Sequence, residues 1–199
     1  MAKIRNAFAA NVKSLLTNIM TPNLYQKYKD EIVPALKAEL KLKNTMQVPK
    51  VTKVVINAGV GRFIKEAGYI DNVEKTLAKI TGQKPIRTKA KKAISNFKIR
   101  QGQEIGVVVT LHGKRMYQFL EKLINVSFPR IRDFRGITDK AFDRQGNYTL
   151  GLKENTAFPE VKTGEIEKMH GLQIIINTTA VDRAAGKALL THLGFPFIK

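Results

Sequence analysis

The sequence predicts an α+β fold: an antiparallel-rich sheet with helices packed on one face and the other face open. Three observations carry this. Apolar residues recur at three-to-four spacing in some stretches and at two-residue spacing in others. The strand-like stretches are few and mostly separated by helical ones. Hydrophobic residues make up 43% of the 199, enough for a real core, which sets global disorder aside.

Residues 2–20 place Ile4, Phe8, Val12, Leu15, Leu16 and Ile19 on one helical stripe. Thr21 and Pro22 end it and start a second helix that runs to about Leu42. Pro34 forces a break in that helix, or a late start near Asp30. Residues 44–49 connect to a strand at 51–57, closed by Gly59-Val60-Gly61. Residues 70–81 form a helix with Ile70, Val73, Leu77 and Ile80 inward and Gly82 as its stop. Residues 84–96 read as a basic loop or hairpin arm. Residues 97–100 and 104–112 read as antiparallel strands joined across 101–103. Gly113 opens a helix whose core stripe is Met116, Phe119, Leu120, Leu123 and Ile124. Residues 127–170 read as irregular, punctuated by Pro129, Gly136, Gly146, Gly151, Pro159 and Gly164, with one short strand at 147–152. Residues 172–179 form a strong strand. Asp182 caps a last helix, which Gly194 ends.

Alternation assigns faces. Ile105, Val107, Val109 and Leu111 share one face, and Glu104, Gly106, Val108, Thr110 and His112 share the other. Val51, Lys53, Val55 and Asn57 share a face of their strand. Lys53, Asn57, Thr110 and His112 thereby fall on one open surface. Ordinary solvent exposure explains that pattern equally well.

Charge narrows the function. Lys plus Arg number 35 against 16 Asp plus Glu, a formal net charge of +19. A core-forming chain with such an excess seeks a polyanion, nucleic acid first and an anionic membrane surface second. Residues 1–139 carry +17 of the total and residues 140–199 only +2. Residues 1–29 hold five basic side chains and no carboxylate, and residues 75–103 hold nine and none. A short charge run is usually a solvated face. Without balancing acids, binding becomes the stronger reading.

Several chemistries are excluded. There is no cysteine, so no disulfide, Cys-ligated zinc, iron–sulfur cluster or thiol nucleophile. No apolar run approaches the roughly 18 residues of a membrane span. His112, His170 and His192 have no partnered spacing, so no metal site is indicated. Gly59-Val60-Gly61 fails as a dinucleotide loop because Ile64 stands where the third glycine belongs. No Walker lysine or nucleophile elbow exists. The reading is a binding protein, not an enzyme.

The most distinctive run is Ser127-Phe128-Pro129-Arg130-Ile131-Arg132-Asp133-Phe134-Arg135-Gly136. Guanidinium groups fork onto phosphates and stack on bases. A structural Arg–Asp network with Phe128 and Phe134 in the core fits the residue types equally well.

This run resembles a signature of the universal large-subunit ribosomal protein five family in its bacterial form. So do Met46-Gln47-Val48-Pro49-Lys50-Val51, residues 57–61, Gly82-Gln83-Lys84-Pro85, and Thr88-Lys89-Ala90-Lys91-Lys92. Residues 96–102, 109–113 with Arg115-Met116, 146–148, 158–160 and 195–197 follow in order, so the resemblance covers about 23–199. It implies a structural constituent of the large ribosomal subunit that anchors 5S rRNA in the central protuberance, with the open sheet face on the RNA. It further implies contacts with 23S-type rRNA, the peptidyl-site tRNA and small-subunit ribosomal protein thirteen, and no cofactor, metal or small-molecule substrate.

Carried onto this chain, the 5S rRNA residues are Gln47, Lys53, Asn57, Thr110, His112 and Arg115. The tRNA loop is Lys84, Arg87, Lys89, Lys91, Lys92 and Asn96. The intersubunit bridge is Arg130, Arg132, Arg135 and Arg144. His112 departs from the arginine expected in many relatives. Residues 1–22 are an extra basic, amphipathic N-terminal extension ahead of a single domain at 23–199. They read as an organellar transit peptide, a membrane-surface helix or an added rRNA-binding helix. The favoured reading is an rRNA or protein contact in a cytoplasmic bacterial ribosome, with no membrane partner; an organellar ribosome is the alternative.

Overall fold

The computed structural model describes residues 23–63, 66, 68–161 and 169–198. The extension at 1–22, with its expected helix at 2–20, lies outside the described residues. Five strands form one antiparallel sheet in the order β2-β3-β1-β5-β4. They are β1 (Val51–Gly59), β2 (Ile86–Lys89), β3 (Glu104–Leu111), β4 (Tyr148–Leu152) and β5 (Leu172–Thr178). The expected α+β architecture is therefore the observed one.

One sheet face is the floor of the core. Val54, Ile56 and Ala58 of β1, Val107, Val109 and Leu111 of β3, and Ile174 and Ile176 of β5 are each at most 1% exposed. Four helical segments supply the other side. Helix α1 spans 23–39, α2 is Tyr69–Thr81, α3 runs from Gly113 to Arg130, and α4 is Arg183–His192. Helix α2 buries Val73, Leu77 and Ile80, as its spacing predicts, and Gly82 ends it at φ 66° with its N–H on Ala78 O. Helix α3 buries Met116, Phe119, Leu120 and Leu123, and also Tyr117. Helix α4 contributes Leu189 and Leu190.

The prolines do not break their helices. Pro34 lies inside α1, and Pro129 lies inside the last turn of α3. Each is preceded by a widened π turn, Tyr28–Ile32 and Leu123–Ser127. The N–H just before each proline reaches back five residues, Val33 to Tyr28 O and Phe128 to Leu123 O. A proline ring crowds the carbonyl four residues back and has no N–H to give it. The wide turn moves that carbonyl aside, so the helix continues. The break or late start expected near Asp30 is absent for this reason. Helix α3 likewise persists to Arg130, beyond the expected onset of irregular chain.

The strands at one edge also differ from expectation. Residues 86–89, expected as loop, form edge strand β2, paired Ile86↔Val108 through Lys89↔Glu104. Residues 97–100, expected as a strand, carry a 3-10 turn and a single bridge, Ile94↔Ile99. The basic segment is an excursion between β2 and β3. Its neck is tied by Ala90 N–H to Gln103 O at 2.8 Å and Gly102 N–H to Ala90 O at 2.9 Å.

Two smaller corrections follow. A bulge interrupts the β1–β5 register between Val51 and Lys53. It turns Val51 into the core, 5% exposed, instead of onto the face of Lys53. Asp182 stands at the start of α4 with extended backbone, but its side chain makes no capping hydrogen bond. The helix is held elsewhere. A Cβ on Gly186 would lie 2.8 Å from Gly146 Cα and 3.0 Å from its carbonyl carbon, so α4 rests directly on the 143–147 turn.

Candidate nucleic-acid interface

The sheet face opposite the helices is polar with an apolar midline. Register fixes its membership, because directly paired residues share a face. Val55↔Thr110 and Asn57↔Val108 join β1 to β3, and Lys53↔Asn177, Val55↔Ile175 and Asn57↔Gln173 join β1 to β5. Lys53, Asn57 and Thr110 therefore lie on one surface, as alternation predicts. His112 lies at its end, exposed, with Nδ1 3.3 Å from Thr52 O. A carbonyl only accepts, so this contact is a hydrogen bond in the tautomer that carries its proton on Nδ1.

Asn57 Nδ2 donates to Gln173 Oε1 at a long 3.4 Å, which leaves most of its hydrogen-bonding capacity for a partner. Gly106 sits beside it. A Cβ there would lie 2.7 Å from Thr88 Oγ1 and 3.2 Å from Ala58 O, so glycine keeps this part of the face flat. Sequence reasoning missed Gln173 and Asn177, although the alternation in β5 already placed them on this face. It missed Thr88 because β2 read as loop.

Two expected members stand apart. Gln47 is exposed on the 3-10 turn Thr45–Gln47 that leads into β1. Arg115 is on α3, in the helical layer, where it borders a groove with Gln118 and the C-terminal end of α2. It does not share the surface of Lys53 and Asn57.

The excursion at 90–103 and its flanks are strongly cationic. Lys84, Lys89, Lys91, Lys92, Lys98 and Arg100 are exposed, and among the described residues none pairs with a carboxylate. Asn96 lies at the tip, next to Phe97, which is 73% exposed. An aromatic ring that exposed, flanked by lysines, is suited to stacking on a base. The sequence signalled it only by position, since Phe97 read as a strand residue.

Arg87 does not belong to that free set. It pairs with Val107 on the helical side of the sheet. Its Nε donates to Glu74 at 2.7 Å, and its terminal nitrogens donate to Asp71 at 2.6 Å and Glu104 at 3.1 Å. Its hydrogen bonds to the carboxylates of Glu74, then Glu104, hold the guanidinium firmly protonated. Its role is to neutralise three carboxylates at the root of the cationic loop.

The arginine segment resolves its two readings in part. Phe128 is 1% exposed and stacks on Phe134, ring centroids 5.3 Å apart. Of the two aromatics expected in the core, Phe128 is there and Phe134 is half-buried against it. The Arg–Asp network does not form. Among the described residues the segment's sole ion pair is Arg132 with Asp133 at 3.9 Å, with side chains 97% and 88% exposed, which is worth almost nothing. Arg130, Arg132, Arg135 and Arg144 all project into solvent. The segment is anchored by backbone instead, with Ile137 N–H on Pro196 O at 2.8 Å and Ile198 N–H on Ile137 O at 3.0 Å. Beyond it, the Asp143 carboxylate closes the turn that carries Arg144. It accepts from Gln145 N–H at 2.9 Å and from Asn147 N–H and Nδ2 at 2.7 Å each.

The remaining histidines are structural. His170 is 4% exposed near Asn155 Nδ2, and His192 Nε2 lies 2.7 Å from Glu39. No metal-holding cluster occurs among the described residues, and no helix described is long and apolar enough to cross a membrane.

The chain is similar to a known protein family. The profile described as Ribosomal protein L5 matches residues 44–100, and the profile of that ribosomal family's C-terminus matches 104–197. The large ribosomal subunit protein uL5 of Natranaerobius thermophilus is 52% identical over 174 residues, 87% of this chain and 97% of the relative. That of Acholeplasma laidlawii is 51% identical over 180 residues, 90% of this chain and all of the relative. That of Roseiflexus sp. is 48% identical over 178 residues, 89% of this chain and 99% of the relative.

Proposed function

The chain belongs to the ribosomal L5 family, whose members are structural and non-enzymatic, and from that premise we propose that it anchors 5S rRNA in the large subunit of a cytoplasmic ribosome. The observation that carries this is the open sheet face. Lys53, Asn57, Thr110 and His112 lie on one surface, joined by Gln173 and Asn177, with the helices on the opposite side. Amides and hydroxyls at strand spacing suit 2′-hydroxyls and phosphates of a folded RNA. The lysine supplies sequence-independent attraction.

The cationic excursion is a second contact. Its lysines hold a phosphate backbone while Phe97 and Asn96 meet bases or sugars. Its separation from the sheet face supports a different partner there, the peptidyl-site tRNA. Arg130, Arg132, Arg135 and Arg144, free of strong internal partners among the described residues, support the bridge to small-subunit ribosomal protein thirteen. Arg115, in the helical layer, contributes to 5S rRNA binding from outside the sheet face.

The test is binding to 5S rRNA and to an unrelated folded RNA of equal length across a salt series. Pure electrostatics gives similar affinities that fall together, with log–log slopes of about −0.7 to −0.9 per phosphate contact. A preference for 5S rRNA that persists at high salt supports the proposal, and equal affinities at every salt overturn it. Asn57→Ala should weaken 5S binding about fivefold, the worth of one hydrogen bond of about 1 kcal/mol. An unchanged affinity removes Asn57 from the interface.

A further inference from the structure

Strand β4 is an edge strand. It pairs β5 along one side from Tyr148↔Ile176 to Leu152↔Leu172. On its other side it meets only the bridge Phe142↔Tyr148, at its first residue. Just before the strand, Asn147 directs its carbonyl outward to Asp143 N–H at 2.9 Å. Backbone groups alternate sides along a strand, so Thr149 and Gly151 direct their N–H and C=O outward as well; the bridge sets the Thr149 N–H against Ala141 O, which leaves the Thr149 C=O and both groups of Gly151 open. Past the bridge, no described strand lies beside that edge.

A groove of about 600 Å³ runs along this edge, between β4 and the arginine segment. Phe128, Ile131, Phe134 and Leu150 make its apolar wall. Arg130, Arg132 and Lys153 stand at its rim against a single acid, Glu154. Arg130 has no hydrogen bond or ion pair within the described chain, and Arg132 has only its loose contact with Asp133. Gly151 is exposed, and a Cβ built on it meets nothing within 4 Å, so a neighbouring backbone can approach closely.

We propose that this groove receives an extended protein segment carrying carboxylates, which adds to the sheet as a strand beside β4. Main-chain hydrogen bonds to the Thr149 C=O and to the N–H and C=O of Gly151 supply the register. Alternate apolar side chains fill the groove, and the carboxylates meet Arg130 and Arg132 with fork geometry. Protein is favoured over RNA by the two features together. An unpaired strand edge recognises a peptide backbone, and an apolar wall offers little to phosphate. The inference rests on the reading of the arginine segment as protein-facing, and names how that segment is engaged.

The probe is a synthetic, end-blocked seven-residue peptide of alternating glutamate and valine, titrated into the 15N-labelled full chain. Controls are the lysine–valine counterpart and a single-stranded uridine heptamer. The expected result is saturable binding of the glutamate peptide alone, with amide shifts at 149–152 and slowed exchange at Gly151. Gly151→Pro removes the outward N–H at an edge position that tolerates proline, and should weaken binding at least tenfold. The double variant Arg130→Glu, Arg132→Glu should do the same while leaving the thermal midpoint unchanged. Equal binding of the lysine peptide, binding of the uridine heptamer at the same amides, or no binding at millimolar peptide overturns the inference.

Association of the two ribosomal subunits, reconstituted with each variant, separates this from the bridge reading. If the arginine variant impairs association but Gly151→Pro changes neither association nor peptide binding, the strand-addition inference fails and the bridge stands. If the peptide binds as described while association is indifferent to the arginines, the bridge fails and the groove stands.

Discussion

Gly186→Ala sets two opposing effects against each other in α4. Alanine is the better helix former by about 1 kcal/mol, so an exposed helix would gain stability. Here the added Cβ meets Gly146, 2.8 Å from its Cα and 3.0 Å from its carbonyl carbon, where carbon atoms normally keep about 3.5–4.0 Å. The obstacle is backbone, held in its turn by the Asp143 carboxylate, and cannot rotate away. Overpacking costs about 1–3 kcal/mol, and an immovable neighbour places this case at the upper end. The net is about 2 kcal/mol of destabilisation, or a fall in melting temperature of about 4–8 °C for a chain of this size. Circular dichroism melts of the full chain read it directly. Gly106→Ala is the comparison, because its closest obstacle, at 2.7 Å, is the hydroxyl of Thr88, a side chain that can turn aside, and its nearest backbone atom, Ala58 O, stands farther off at 3.2 Å. That variant should stay within about 1 kcal/mol of the parent. If Gly186→Ala melts at or above the parent, helix propensity outweighs the contact, and the account of how α4 seats on the 143–147 turn is wrong.

Two further outcomes are expected. Replacing Lys89, Lys91 and Lys92 with Ala should spare 5S rRNA affinity but weaken tRNA binding and flatten its salt slope by up to about three contacts; filter binding with both RNAs shows it, and equal losses would refute two separate surfaces. Asp143 feels burial that raises its pKa, but hydrogen bonds from the Asn147 side chain and from the N–H groups of Asn147 and Gln145 hold it below its ordinary 3.8. A carboxylate with a depressed pKa stabilises the fold above about pH 4 and loses that contribution as pH falls through its lower folded value. The gap in urea midpoint between the parent and Asp143→Asn should therefore shrink from pH 6 to pH 3, and a constant gap would contradict the assignment.

Where the sequence succeeded, one period dominated. Val73, Leu77 and Ile80 in α2, and the alternation of 105–111, left little choice of face. That alternation, with the alternation of 51–57, placed Lys53, Asn57 and Thr110 on one surface, where strand pairing puts them. Where it failed, a nonlocal effect decided. Pro34 and Pro129 look like breakers until the π turns before them are seen. Val51 obeys alternation locally, but the bulge against β5 reverses it. Arg87 belongs by composition to a lysine-rich run, yet strand pairing points it at Asp71, Glu74 and Glu104, which are far from it in sequence. Arg115 follows a strand that lines the open face, but one turn of helix takes it to the opposite layer. The free arginines at 130–135 were identified as special, whereas their lack of internal partners required the fold.

The neck of the cationic excursion has a mechanical consequence. Ala90 and Gln103 close it with short hydrogen bonds before the chain departs, so the sheet's pairing is complete without the arm. From Ala90 to Asn96 the backbone can extend roughly 20 Å at most. The arm is thus a tether of fixed root and limited reach. A partner held at its tip can shift by several ångströms while the load is absorbed in the arm, leaving the platform beneath undisturbed.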